Sequence, residues 1–157
     1  MFYSKSISSA GVLTPPHNLV YGTNHYKDFS RLYIDGSRMG NQVAVAVVYR
    51  STTKTARLPN TASIFSAELY AISLALGVIR RSKENNFIIF SDYLKSESIM
   101  WFFKLEIHFV QNIIKYYTHL ANSVKTIILC WIPSHVNILD NERADTAAKS
   151  ALSLPIT

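Results

Sequence analysis

An α/β fold is what the sequence predicts: a five-stranded mixed sheet, three antiparallel strands and then two parallel ones, with helices on both faces. Three observations predict it. Apolar or β-branched runs of strand length occur five times along the chain. Short connections join the first three, whereas stretches of helical period separate the later ones, as consecutive parallel strands require. Finally, 157 residues with no second apolar block behind a long linker fit one domain able to bury most of the surface its unfolded chain exposes.

Residues 1–29, with the Pro15-Pro16 pair and scattered Ser, Gly and Asn, carry neither period and read as a flexible lead, the domain itself spanning 30–154. RLYIDGS (31–37) is a short buried strand ending in a turn, and VAVAVVYR (43–50) is a second, rich in β-branched residues. TKTARLP (53–59) closes the meander, and Pro59 ends it. Thr61 or Ser63 can cap a helix from Ile64 to Arg81, whose inward face carries Ile64, Ile72, Ala75 and Ile79 with Phe65 and Leu76 beside them. NFIIFSD (86–92) is a continuous apolar run, the kind expected of a strand covered on both faces. Two helical stretches near 95–103 and 106–122 lead to the strand KTIILCWIP (125–133). A last helix follows, with Ala144, Ala147, Ala148, Ala151 and Leu152 as its stripe.

Sixteen Lys and Arg face ten acids, and the balance of +6 favours a polyanionic partner such as nucleic acid. The lone cysteine, Cys130, lies in an apolar run; it excludes a zinc ribbon and suggests a buried thiol in a reducing compartment. No apolar run approaches the ~20 residues that span a bilayer, and MFYSKSISSAGVL lacks the continuous apolar segment of a secretory signal. The expectation is therefore a soluble intracellular protein of cytoplasm or nucleus. A mitochondrial transit peptide is the alternative for the lead, whose first acid is Asp28.

Where the few acids stand is more telling than their number. Asp35 and Asp92 each end an apolar strand. Taken singly, an Asp there is a turn residue capping local donors. Glu68 stands four residues after Ile64 and four before Ile72, which puts a carboxylate on an apolar helix face. Singly, it could escape to solvent or meet an Arg. One shared hard cation would explain all three placements together, because carboxylate oxygens suit Mg²⁺ and clustered acids otherwise repel one another. In the last helix, Asp145 flanks the buried alanines, while Asp140 falls in the first turn, where the helix dipole and spare amides account for it. Asp145, not Asp140, is assigned to the metal site.

The stretches YIDGS, SAELYAISLAL, FSD and WIPSHVNILDNERADTAAK, in this order and spacing, resemble the type 1 ribonuclease H family. The likeness is closest to the ribonuclease H domains of non-LTR retrotransposon polyproteins, and it covers about 31–152. It implies an RNase H-like fold and endonucleolytic cleavage of the RNA strand of RNA/DNA hybrids by a two-metal mechanism with Mg²⁺, Mn²⁺ being the other candidate. Carried over by position, Asp35 would bridge both ions, Glu68 and Asp92 would hold one, and Asp145 the other. His135 in WIPSH would assist proton transfer or product release. Gly36 and Ser37 of YIDGS would lie against substrate, and Gly40-Asn41 matches a turn that approaches the hybrid's minor groove; an ordinary hairpin turn is the other reading.

The chain also departs from the pattern. Tyr93 follows the third acid, Ile64 and Phe65 stand where some relatives have asparagines, and Asn137 and Asp140 replace loop glycines. A lysine-rich handle is missing, so Arg38, Lys54 and Arg57 are the candidates for phosphate contact. The implied partners are the hybrid and a reverse transcriptase domain of a parent element, with no membrane and with a monomeric chain. The rival expectations are a catalytically decayed hybrid-binding module and a different nuclease on the same fold.

Overall fold

The structure, a computed structural model, describes residues 4–7, 13–14, 28–92, 126–132 and 138–157, with side chains described from 28 to 92, at 127 and 132, and from 138 to 157. The expected helices near 95–103 and 106–122, Tyr93, His135 and Asn137 lie outside the described residues.

Among the described residues the strands are β1 (Ser4–Ile7), β2 (Leu13–Thr14), β3 (Ser30–Met39), β4 (Gln42–Tyr49), β5 (Thr52–Leu58), β6 (Asn86–Ser91) and β7 (Thr126–Trp131), and the helices are α1 (Ile64–Arg81) and α2 (Leu139–Ala151). They form one mixed sheet in the order β2-β1-β7-β6-β3-β4-β5. The α/β class and the mixed sheet are as the sequence predicts, with β3, β4 and β5 antiparallel and β3, β6 and β7 parallel. Among the described residues the count of five strands is corrected to seven. The two additional strands fall in the segment expected as a lead, where β1 adds antiparallel to the edge of β7 through Ser4↔Cys130, Lys5↔Leu129 and Ser6↔Ile128. Pairing of this kind runs through the backbone and needs no side-chain period, so SKSI gives no strand pattern to read.

Strands β3 to β6 and the two helices hold most of the described core. Alternation along β3 sends Leu32 and Ile34 to one face and Tyr33 and Asp35 to the other. On the first face, Leu32, Ile34, Val43, Val45 and Val47 pack with Phe87, Ile89 and the α1 residues Ile72, Ala75, Leu76 and Ile79. On the second, Tyr33, Val48, Ile88, Phe90 and Ile132 pack with Ala144 of α2. Tyr33 and Phe90 stack there with centroids 4.9 Å apart, a cross-strand pair of the favourable offset kind.

Local chemistry sets the ends. Ser63 is the α1 cap, its hydroxyl accepting from the Ser66 amide at 3.0 Å, so of the two expected candidates Ser63 serves. Ile138 precedes α2 without a side-chain cap. Ala144, Ala148, Ala151 and Leu152 are buried as expected, but Ala147 is half-buried and Asn141 takes its place on the inner face. Gly40 and Asn41 form the two-residue connection of the β3–β4 hairpin, with Gly40 at φ +58°, a left-handed value that glycine adopts without a Cβ penalty.

Candidate active site

Four elements bring carboxylates to one region. Asp35 lies inside β3, an inner strand that pairs with both β4 and β6. Glu68 projects from the second turn of α1, Asp92 follows the last residue of β6, and Asp145 stands midway along α2. Parallel pairing sets Ile34 opposite Ser91, so Asp35 and Asp92 follow one another across neighbouring strands. Glu68 is 1 % exposed and Asp35 is 6 % exposed.

The Gly36 amide joins two of the acids. It donates to Asp35 Oδ1 at 2.9 Å and to Glu68 Oε1 at 3.0 Å. The approach is so close that a Cβ on Gly36 would sit 2.9 Å from Glu68 Oε1 and 3.2 Å from Ala67 Cβ. The Ser91 hydroxyl donates to Glu68 Oε2 at a long 3.4 Å, and Asn141 Nδ2 donates to Asp92 Oδ2 at 3.3 Å. Asn141 is buried, and its Oδ1 finds no partner among the described residues. Asp145 accepts from Lys149 Nζ at 2.7 Å, an i,i+4 ion pair on α2.

Burial and mutual repulsion dominate the electrostatics. The Asp35 carboxyl is pushed up to about 9, first by burial and then by the charges of Asp92, Glu68 and Asp145. A protonated Asp35 donates a hydrogen bond to Asp145, which adds to the effect. The Glu68 carboxyl is pushed up to about 8, again mainly by burial with Asp92 next, while the Gly36 amide and Ser91 hydroxyl pull it partly back. The hydrogen bond to Asp145 and its charge hold Lys149 above the ordinary lysine range.

An all-carboxylate donor set that retains protons to this degree fits a hard divalent cation in kind, because such an ion prefers oxygen ligands and would relieve the repulsion. In the arrangement seen, however, no three His, Cys, Asp or Glu side chains among the described residues are gathered to hold one metal ion. The reason is visible in the hydrogen bonds: Glu68 turns to Gly36 and Ser91, Asp92 to Asn141, and Asp145 to Lys149.

The expected site residues thus fall into three groups. Asp35, Glu68, Asp92 and Asp145 interact with one another, and Gly36 adjoins them. Ser37 lies half-buried farther along β3, with Gly40 and Asn41 exposed at the hairpin. Arg57, a candidate for phosphate contact, is only 6 % exposed; its guanidinium donates to Asn60 Oδ1 at 2.8 Å, and its strand edge is covered by Thr157, whose amide donates to the Arg57 carbonyl at 2.9 Å. Sequence reasoning missed Ser91, Asn141 and Lys149. A helical period would have found the latter two, which stand one turn before and one turn after Asp145.

Asp140 goes elsewhere. Its carboxylate accepts from Arg143 at 2.9 Å, and it borders an open cleft of about 690 Å³ with Asp28, Arg31, Arg50, Glu84 and Asn86, at the ends of β3 and β6 where those strands begin.

Fold and site together define a class, an α/β domain on a basic chain that brings carboxylates from four elements to one region of its sheet. Comparison with known families then identifies it. The RNase H family model matches residues 28–153, and the chain belongs to that family. No curated protein matches the chain. Membership brings hydrolase and nuclease chemistry on nucleic acid in general, with RNA/DNA hybrids as the family's substrate. Among the described residues, no helix is long and apolar enough to cross a membrane.

Proposed function

We propose that the chain cleaves the RNA strand of RNA/DNA hybrids endonucleolytically, with two divalent ions, Mg²⁺ or Mn²⁺, held by Asp35, Glu68, Asp92 and Asp145. The observation that carries this reading is the convergence of carboxylates from four elements, with Asp35 and Glu68 buried and joined through the Gly36 amide. Such a cluster is costly to fold unless it captures cations. When bound, the ions would supply an activated water and stabilise the leaving oxygen of the phosphodiester.

The protein's own contributions are proposed from the geometry together with the motif resemblance. Asp35, on β3 between β6 and β4, feels the charges of the other three acids and is assigned to both ions, as the family resemblance implies. Gly36 holds Asp35 and Glu68 in register through one shared amide, and Asn141 holds Asp92. His135 is proposed as the group that moves a proton or releases product. Gly36, Ser37, Gly40 and Asn41 are proposed to face the hybrid, whose 2′-hydroxyls distinguish RNA from DNA. Retrotransposon origin, a reverse transcriptase domain as neighbour, a monomeric state and an intracellular setting in cytoplasm or nucleus belong to the same proposal, resting on the sequence motifs.

A second reading has one observation in its favour. Every site carboxylate is turned to a protein donor or a neighbouring acid rather than gathered with two others, as in a module that binds hybrid without cutting it. End-labelled RNA annealed to DNA, duplex DNA and single-stranded RNA are incubated with the protein and Mg²⁺ or EDTA. The nuclease reading expects metal-dependent cuts confined to hybrid RNA and abolished by Asp35→Asn. Binding of hybrid without cutting in either metal selects the second reading, and cutting retained by purified Asp35→Asn protein overturns the assignment of the metal ligands.

A further inference from the structure

The carboxylate of Asp145 has two claimants. Its side chain is 20 % exposed and points one oxygen, Oδ2, at Lys149 Nζ 2.7 Å away, while the same residue lies against the buried carboxyl of Asp35. Lys149 is 58 % exposed and reaches the acid from the next turn of α2. An i,i+4 pair of this type on an open helix face is ordinary and weak. Here one partner is also an acid of the candidate metal site, and that changes what the lysine does.

We propose that Lys149 is a tethered counter-cation of this site, which neutralises Asp145 in the empty protein and opposes the divalent ion that Asp145 would help to hold. The inference rests on the metal reading given above and concerns how tightly, not whether, the site takes its ion. Its physical basis is short. A hard cation sits about 2.0–2.6 Å from a carboxylate oxygen, so a lysine hydrogen-bonded to the other oxygen of the same group leaves the two cations roughly 4–6 Å apart. In water-like surroundings a unit charge at about 6 Å from a dication weakens its binding on the order of tenfold. Lys149 must swing away or accept that repulsion. Its exposed, four-carbon stem makes the first course easy, since the ammonium can return to solvent. The empty site thereby keeps one of its acids neutralised, and metal affinity is held low enough to depend on the free ion concentration.

The experiment measures ion binding, not turnover. Mn²⁺ binding to the full chain is followed by electron paramagnetic resonance of the free ion and by calorimetry, at low and at about 1 M salt, for the unmodified protein, Lys149→Gln, Lys149→Arg and Asp35→Asn. Expected are binding by the unmodified chain and its near loss in Asp35→Asn. The Kd should be on the order of tenfold tighter in Lys149→Gln at low salt, unchanged in Lys149→Arg, and the difference should shrink at 1 M salt, where the screening length falls to about 3 Å. Urea unfolding of each variant verifies that it is folded, which the exposure of Lys149 leads one to expect. If the unmodified chain binds no Mn²⁺, the metal reading fails and this inference with it. If it binds Mn²⁺ and loses it in Asp35→Asn, yet Lys149→Gln binds no more tightly, the metal reading stands and the role of Lys149 is overturned.

Discussion

Replacing Asp35 by Asn should make the metal-free protein more stable, and the gain should grow with pH. In the folded chain Asp35 holds its proton up to about pH 9, whereas an unfolded chain releases it near 3.8. The folded state therefore binds more protons than the unfolded one throughout that window. Stability falls as pH rises through it by about 1.36 kcal/mol per pH unit for one such group, and levels off above the folded value. From 3.8 to pH 7 the ceiling is about 4 kcal/mol. Glu68, raised to about 8 from 4.5, cannot add its full share, because the two acids titrate together and each raises the other. Asn keeps the acceptor for the Gly36 amide and supplies a donor toward Asp145, so the substitution removes charge without removing shape. Urea unfolding of both proteins in EDTA at pH 5, 7 and 8.5, followed by circular dichroism, measures the effect. We expect Asp35→Asn to exceed the parent by a margin that widens from pH 5 to 8.5, with about 4 kcal/mol as the upper bound at pH 7. Mg²⁺ should narrow the margin by stabilising the parent alone, by about 2.7 kcal/mol at a hundred times its Kd. A parent whose stability is flat from pH 5 to 8.5, or a variant no more stable than it, would show that the acids are not desolvated and mutually repelling as argued.

Three other outcomes can be checked together. Gly36→Ala forces a Cβ to within 2.9 Å of Glu68 Oε1; it should cost about 1–3 kcal/mol in urea unfolding and reduce hybrid cleavage, since Glu68 must move to make room. Ser63→Ala removes the α1 cap that accepts from Ser66 and should cost about 1 kcal/mol while leaving cleavage intact, so a loss of activity there would mean that α1 is disturbed beyond its first turn. Asp140→Asn and Asp145→Asn separate the two last-helix acids: the first, paired with Arg143 on a partly exposed face, should change stability by under about 0.5 kcal/mol and leave cleavage unchanged, whereas the second should abolish cleavage. Equal loss in both variants would refute the choice of Asp145.

The parts of the fold that could be read from the sequence are those where burial is written in side chains. Val43, Val45 and Val47 alternate with a second apolar set because β4 is covered on both faces, and Ile72, Ala75, Leu76 and Ile79 recur at helical spacing because α1 lies on one face of the sheet. Strands β1 and β2 carry no such mark. Their pairing with β7 and with each other is a backbone matter, and short polar strands are set by the edge they meet. Arg57 misleads for a related reason: a lone arginine in an edge strand reads as exposed, and only the fold reveals that the segment ending at Thr157 lies over it.

The candidate site divides along the same line. Asp35, Glu68, Asp92 and Asp145 could be picked out because each violates a local rule, a charge on an apolar strand or on a buried helix face, and a rule broken at four places by one residue class calls for one cause. Ser91, Asn141 and Lys149 break nothing. A serine at a strand end, an asparagine in a first helical turn and a lysine one turn beyond an aspartate are each what turn, cap and ion-pair chemistry would place there in any protein. Helical spacing puts Asn141 and Lys149 beside Asp145, but their role as partners shows only once the acids they serve are seen to be close. The donors matter nonetheless, because they decide where each carboxylate points when no cation is present. Glu68 accepts from the Gly36 amide and the Ser91 hydroxyl, neutral donors that a cation could replace at small cost, whereas Asp145 accepts from a charge. At Asp145 the competitor for an incoming ion is itself a cation, so metal affinity should respond more to changes at Lys149 than to changes at Ser91.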